Sequence, residues 1–233
     1  KLLNIMNKKN NLLNVFYLLV PGFVLLISFT HIPAVKTLMN SFYSTAKGRR
    51  ESKFVGLENY ETLWQDATFW KVFSNNIIYA LGVIPTSILL SLAMALWVNS
   101  KIIGRPFLRF SYFLPTVLPL IAVGNIWLFF YAPGFGLIDQ IVTSLGFPSL
   151  NILGSQESSL FGVMAVGIWK EAGFYMIFYL AGLQAIPPDL KEAAMIEGAN
   201  KWYIFWRITF PLLTPTTLFV SVNAVINSFR QID

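Results

Sequence analysis

The sequence predicts an all-α integral membrane protein, a polytopic helix bundle, and three observations carry that prediction. Mean hydropathy is +0.60. Only 12% of the 233 residues are charged, against roughly 25% in soluble domains. Five apolar segments reach the ~20 residues that a helix needs to cross a bilayer core. A soluble protein could not hide that much apolar surface. The chain reads as a single transmembrane domain over residues 1–233, with no internal repeat, low-complexity tract or linker.

In chain order, the first span is expected from about Leu12 to Thr30, broken by Pro21-Gly22. A long loop from His31 to Asn76 follows. Within it Leu57 to Phe73 reads as one or two amphipathic helices, with Trp64 and Trp70 suited to the interface. The second span, Ile77 to Val98, carries Pro85 and no charge. The third, Phe110 to Tyr131, has Pro115 and Pro119 near its start and Asn125 inside. A Gly-rich loop from Pro133 to Ser155 leads to the fourth, Ser158 to Leu183, with Lys170-Glu171 near its middle. The fifth, Ile208 to Phe229, has Pro211 and Pro215 early, then Asn223 and Asn227. Gly124, Gly162, Gly167, Gly173 and Gly182 are expected at close helix contacts.

Composition excludes several functions. Cys is absent, so disulfides, thiolate metal sites and a cysteine nucleophile are ruled out. The only His, His31, sits at the end of the first span and reads as structural. No Gly-x4-Gly-Lys-Ser/Thr loop occurs to cradle phosphates, so the chain itself does not hydrolyse ATP. The net charge of +6 is better explained by basic loops facing anionic headgroups than by nucleic acid. No signal-peptide cleavage site is evident, and the start at Lys1 implies residues in front of it.

Short-loop charge sets the orientation. Lys1, Lys8 and Lys9, then Lys101, Arg105 and Arg109, then Lys191, Lys201 and Arg207 place the N-terminus, the 99–109 loop and the 187–207 stretch in the cytoplasm. The loop from Ala132 to Glu157 has no Lys or Arg. The 31–76 loop is assigned outside despite Lys36, Lys47, Arg49, Arg50, Lys53 and Lys71; it also carries Glu51, Glu58, Glu61 and Asp66, and long loops obey the rule less strictly.

The polar insert at 187–207 is the most informative stretch. Pro187-Pro188 closes one helix, and Asp189 with Glu192 is spaced as a variant capping box. Leu190, Ala193, Ala194 and Glu197 share a face with small residues at its centre. Gly198 supplies a left-handed C-cap, and Asn200 caps a second helix from Lys201. A short helix, a sharp turn and a second helix make a docking element, because an Ala-centred face admits another protein's surface.

Glu192-Ala193-Ala194, then Glu197-Gly198-Ala199, then Ile208-Thr209-Phe210-Pro211 resembles the EAA loop of membrane subunits of binding-protein-dependent ABC importers. The longer run from Ala181 to Ala199 is similar to carbohydrate-type permeases, the group of the maltose and glycerol-3-phosphate importers. Phe54-Val-Gly-Leu-Glu-Asn-Tyr, Phe113-Leu-Pro, Gly134-Phe-Gly-Leu-Ile-Asp and Ile168-Trp-Lys extend the likeness over the chain from about Phe54 onward. Glu197 departs from the family's usual Asp and keeps the charge.

The resemblance implies a type I importer permease with a sixth span that is expected but missing here. It implies a multi-pass protein of a bacterial or archaeal inner membrane, with the N-terminus cytoplasmic. It also implies a second permease, usually a different one, two ABC ATPases that hold ATP and Mg, and an extracytoplasmic solute-binding protein that contacts the 133–155 loop. The chain itself takes no cofactor or metal. The cargo expected from the resemblance is a sugar or a sugar or polyol phosphate. An importer for another solute class and an ion-coupled secondary transporter are the rivals; inverted repeats and several intramembrane carboxylates would mark the latter, and Glu171 is alone.

Glu192, Ala193, Ala194, Glu197, Gly198 and Ala199 are then the ATPase-coupling residues, with the two acids free to pair with a partner's Arg or Lys. Asn125, Trp169, Lys170, Glu171, Asn223 and Asn227 are candidates for the translocation pathway, since charges and amides at membrane depth face a cavity, a partner or each other. Lys170 and Glu171, as helix neighbours, point in different directions and should find separate partners. Trp127, Trp169, Phe174 and Tyr175 could stack on a sugar ring.

Overall fold

A computed structural model describes residues 15–44, 52–100, 103–155 and 158–230. The orientation charges Lys1, Lys8, Lys9, Lys47, Arg49, Arg50, Glu51, Lys101 and Glu157, and the start of the first span at Leu12–Asn14, lie outside the described residues. The chain forms two compact units, Lys1–Lys71 and Val72–Asp233.

In the first unit, α1 (Val15–Asn40) is a continuous membrane-length helix. Pro21-Gly22 does not break it, and it runs past Thr30, where the loop was expected to begin. In hydrocarbon nothing else could satisfy the backbone, so one missing N–H is tolerated. A π turn at Ile27–His31 interrupts the regular winding, and the His31 ring donates through Nδ1 to the Leu26 carbonyl at 3.2 Å. Tyr43 and Phe54 then form an isolated antiparallel bridge with their rings 5.5 Å apart. Helix α2 (Glu58–Gln65) is tied to it by Asn59, whose amide donates to the carbonyls of Ser41 and Tyr43 at 2.8 and 2.9 Å. Two helices form here rather than one, because Asp66 turns extended and accepts the Thr68 N–H at 2.8 Å, opening α3 (Ala67–Asn99). The Trp64 and Trp70 rings meet edge to face at 4.7 Å.

The second unit holds the rest of α3 with α4 (Arg105–Val117), α5 (Leu120–Phe130), α6 (Leu137–Ser144), α7 (Ser159–Ala185), α8 (Pro188–Ile196), α9 (Lys201–Leu212) and α10 (Thr214–Arg230). The third and fifth expected spans are not single straight helices: α4 and α5 meet at 102°, and α9 and α10 at 63°. The first bend falls at Leu118-Pro119, both extended, as the residue before a proline is driven out of the helical region. The second follows Pro211, where Leu213 is fully buried at the corner. Counting each bent pair as one span gives five among the described residues, three of them unbroken.

Helix α7 is the centre of the core. Tyr175, Met176, Tyr179 and Leu183 on it bury against Leu92, Ala95 and Val98 of α3 and Leu213, Val220 and Ala224. Glycine sets two of its contacts. A Cβ on Gly173 would lie 1.8 Å from the Tyr112 carbonyl oxygen of α4, and one on Gly182 would lie 2.7 Å from the Thr216 hydroxyl. Gly124 differs from the expectation, with nothing within 4 Å of its Cβ position.

Candidate coupling helix and intramembrane polar site

The stretch between α7 and α9 folds as its residues dictate. Ile186 and Pro187 are extended, and Pro188 opens α8 with its pre-set φ. That start leaves Asp189 inside the first turn rather than ahead of it, so the expected capping box with Glu192 does not form; no side-chain cap bond is made. Asp189 contributes instead by its charge beside the helix N-terminus. At the other end, the N–H groups of Glu197, Gly198 and Ala199 donate to the carbonyls of Ala193, Met195 and Ala194 at 2.9–3.1 Å. Gly198 adopts φ +84°, the left-handed turn that closes such a cap. Asn200 then accepts the Tyr203 N–H through its side chain at 2.8 Å and starts α9.

Glu192, Ala193, Glu197 and Gly198 are exposed, and Ala194 and Ala199 are half-buried. Sequence reasoning missed Met195 and Ile196, which are 55% and 89% exposed beside them. The result is an open surface with an apolar centre and a carboxylate at each end. It is joined directly to α7 on one side and to the α9–α10 pair on the other.

Inside the bundle the pathway candidates separate into two groups. The Asn227 amide donates to a Glu171 carboxylate oxygen at 3.2 Å and to the Tyr175 hydroxyl oxygen at 3.3 Å. Tyr79 and Ser87 of α3 and Ser228 of α10 complete a polar pocket of about 10 Å³, room for one water at most. Tyr175 is 1% exposed and presents no open ring face for stacking. Lys170 faces elsewhere: it lines a cavity of about 260 Å³ with Gly124, Trp127, Tyr131 and Gly167. No ion pair joins it to Glu171 among the described residues, so the two have separate surroundings as expected. The Trp127 ring stands 5.5 Å from Trp169, and its indole N–H is buried in the protein without an acceptor. Trp169 also lines a second cavity of about 460 Å³ with Trp97, Ser111 and Tyr112.

Asn125 and Asn223 join neither group. Asn125 is exposed, and the Asn223 amide donates to the Phe219 carbonyl of its own helix at 2.8 Å. The Tyr79–Ser87–Ser228 surround of Glu171 was not read from the sequence. Its one local sign is Tyr175, four residues after Glu171 and so on the same helix face.

The loop after α5 is built round Asp139, which the sequence marks only as the last residue of the Gly134-Phe-Gly-Leu-Ile-Asp likeness, without a role. Its carboxylate is 3% exposed and accepts the Gly134 N–H at 2.8 Å, the Ser149 hydroxyl at 2.8 Å and the Leu150 N–H at 2.7 Å. These donors, Ser149 first, hold its pKa below the ordinary carboxylate value. Gly136 has no room for a Cβ, with the Ala132 and Phe130 carbonyls 2.6 Å away.

A polytopic helix bundle, carrying an exposed capped helix between two spans, a small polar pocket round Glu171 and a mainly apolar cavity reached by Lys170, defines a membrane permease. The chain belongs to the family of binding-protein-dependent transport system inner membrane components, whose model matches residues 87–232. It is 35% identical over 219 residues to an osmoprotective-compound uptake permease of Synechocystis sp., covering 91% of this chain and 77% of that protein. It is 31% identical over 218 residues to the trehalose/maltose transport permease MalF of Thermococcus litoralis, covering 94% and 74%. Two structures of a bacterial alginate ABC transporter, one in complex with an alginate-pentasaccharide-bound periplasmic protein, superpose with TM-scores of 0.78 and 0.76 at 24% identity. They cover 98% and 94% of this chain and 77% and 73% of theirs. The protein is therefore an inner-membrane permease subunit of an ATP-driven, binding-protein-dependent importer.

Proposed function

We propose that this permease carries a sugar or a sugar or polyol phosphate inward, and that α8 is the helix through which a separate ATPase drives it. The single observation behind the coupling assignment is the build of α8: exposed, apolar at its centre, acidic at both ends, and joined by short links to helices of the bundle on either side. Two ATPase subunits holding ATP and Mg grip α8 of this chain and of a second permease; Glu192 and Glu197 meet basic side chains while Ala193, Ala194, Gly198 and Ala199 permit close approach. Closure of the ATPases moves α8, and the attached spans switch access. In this reading the N-terminus and α8 are cytoplasmic, and the loop built on Asp139 meets a solute-binding protein. That partner is supported by the periplasmic protein bound to the alginate transporter.

The sugar assignment rests on the relatives' transport of maltose, trehalose and osmoprotective compounds. The cavity beside Lys170 suits it, since Trp127 lines it with ring surface and Lys170 with a cation, the chemistry of a sugar ring and of a phosphate. Copurification in mild detergent tests the coupling. The wild type brings down an ATPase that a Gly198→Arg variant loses while remaining monodisperse. If the Gly198→Arg variant keeps the ATPase as the wild type does, α8 is not the helix that holds it.

A further inference from the structure

Helix α6 stands where two spans end. It begins at Leu137, shortly after α5 stops at Phe130, and the residues between fold back tightly. The Gly136 N–H donates to the Ala132 carbonyl at 2.8 Å, and the Gln140 side-chain amide donates to the Phe135 carbonyl at 3.0 Å. The end of α5 is tied in turn to the start of α7, where the Tyr131 hydroxyl donates to the Gly162 carbonyl at 2.9 Å. The bent α4–α5 pair and α7 are both long and apolar enough to cross a membrane, so α6 is held at the boundary of the bilayer.

With about 100° between successive residues, α6 divides into three strips. Ile138, Asp139 and Val142 share the first and are buried or half-buried, with Asp139 receiving the loop's donors. Gln140, Thr143 and Ser144 share the second, all exposed and all uncharged. Leu137, Ile141 and Leu145, at the spacing i, i+4, i+8, share the third and are 48%, 51% and 68% exposed. Apolar surface also continues past the end of α5 towards this strip, since Phe135 and Phe129 are both exposed with their rings 6.3 Å apart. The order of the strips identifies what covers the third. A protein docking face carries its apolar residues at the centre, inside a polar rim. Here the apolar strip has the polar strip on one side and the protein on the other. That is the layout of a helix lying flat, one edge in acyl chains and the other in water.

We infer that α6 is an interfacial anchor: Leu137, Ile141 and Leu145 lie in the bilayer surface, and Gln140, Thr143 and Ser144 face water. The three bonds to the Asp139 carboxylate lash the rest of the loop to this helix. Residues 132–157 contain no Lys or Arg, so the seating comes from apolar burial and does not call on anionic headgroups. The anchor fixes the height of the α5–α7 loop at the membrane and leaves the polar strip to any soluble partner. The inference rests on the membrane fold and is independent of the cargo and of the coupling helix.

The chain has no native Cys, so Leu137→Cys, Gln140→Cys, Ile141→Cys, Ser144→Cys and Leu145→Cys can each carry a single nitroxide label. The test uses the transporter assembled with Cys-free partner chains in phosphatidylcholine nanodiscs, without a solute-binding protein. Collision of each label with oxygen, which concentrates among acyl chains, is compared with collision with a nickel chelate, which stays in water. Oxygen should dominate at Leu137, Ile141 and Leu145, and nickel at Gln140 and Ser144. Nickel dominance at every position puts the apolar strip in water, a face open to a soluble partner, and overturns the anchor. Weak collision with both reagents at Leu137, Ile141 and Leu145 shows another protein chain covering the strip and overturns it too. Exchanging half of the phosphatidylcholine for phosphatidylglycerol should leave the pattern unchanged. Oxygen dominance that arises only with phosphatidylglycerol assigns the seating to charge and refutes the apolar account. All of the labelled positions are exposed, and should one label block assembly, the remaining positions of the same strip decide the question.

Discussion

Two glycines in membrane helices, Gly173 and Gly124, should respond oppositely to the same added methyl group. Replacing either with Ala removes a flexible residue from a helix, worth roughly 0.5–1 kcal/mol in favour of the folded state. At Gly124 nothing lies within 4 Å of the new atom, so that gain stands. At Gly173 the new Cβ would lie 1.8 Å from the Tyr112 oxygen and 2.9 Å from its carbonyl carbon, both backbone atoms of α4. Carbon–oxygen contacts settle at about 3.3–3.6 Å, so the helices must part by about 1.5 Å. That separation also removes the Thr116 hydroxyl from the Lys170 carbonyl, now 3.3 Å away. Overpacking of this kind costs about 1–3 kcal/mol. Gly173→Ala should therefore unfold about 1–3 kcal/mol more easily than Gly124→Ala, with Gly124→Ala at or above the wild type. Equilibrium unfolding of the purified protein in mixed micelles reads the difference directly. Equal stability of the two variants would falsify the seam as described.

The remaining expectations concern the polar sites. Asp139 has a depressed folded-state pKa, so its contribution is present above the unfolded value near 3.9 and is lost as pH falls through the lower folded value. The amides of Gly134 and Leu150 should thus stay protected from hydrogen exchange near neutral pH and lose protection only in acid; Asp139→Asn should expose them at neutral pH, and full protection in that variant would count against the anchor. For Glu171 and Asn227, a double-mutant cycle of Glu171→Gln and Asn227→Ala should give a coupling of about 0.6–1.7 kcal/mol, as intramembrane hydrogen bonds do; a cycle with no coupling denies their contact. Asn223→Ala and Asn125→Ala should leave transport within about twofold of wild type, since a side chain bonded to its own helix or standing exposed offers little; a loss of transport returns either to the pathway.

The parts legible in the sequence were those fixed over a few residues. Gly198, Asn200 and the Pro187-Pro188 pair announce a helix, a left-handed cap and a second helix, and all are found there. Prolines were harder to read. Pro21 sits in an unbroken helix, while Pro119 ends one and turns the chain through 102°. The ring acts alike in both; what surrounds each decides whether the chain has somewhere else to go. The Glu171–Asn227 contact joins residues 56 apart, and no local pattern reports such a meeting. Asp139 looked like an ordinary acid in a Gly-rich loop because its donors, Ser149 and Leu150, come ten and eleven residues later. The capping box failed on one residue of register, since Pro188 was free to start the helix first.

The two ends of α8 are unequal as mechanical joints. Its link to α7 is two extended residues, Ile186 and Pro187, without a side-chain cap, whereas its link to α9 is locked by the Gly198 turn and the Asn200 cap. Such a linkage works like a crank with one loose bearing and one keyed shaft. If α8 is the driven helix proposed above, torque applied to it should be passed less to α7 than to α9. From there it crosses the corner at Leu213 into α10, whose far turn carries Asn227 against Glu171 of α7. On that proposal α7 would be met a second time through the Asn227–Glu171 contact, where the polar pocket sits.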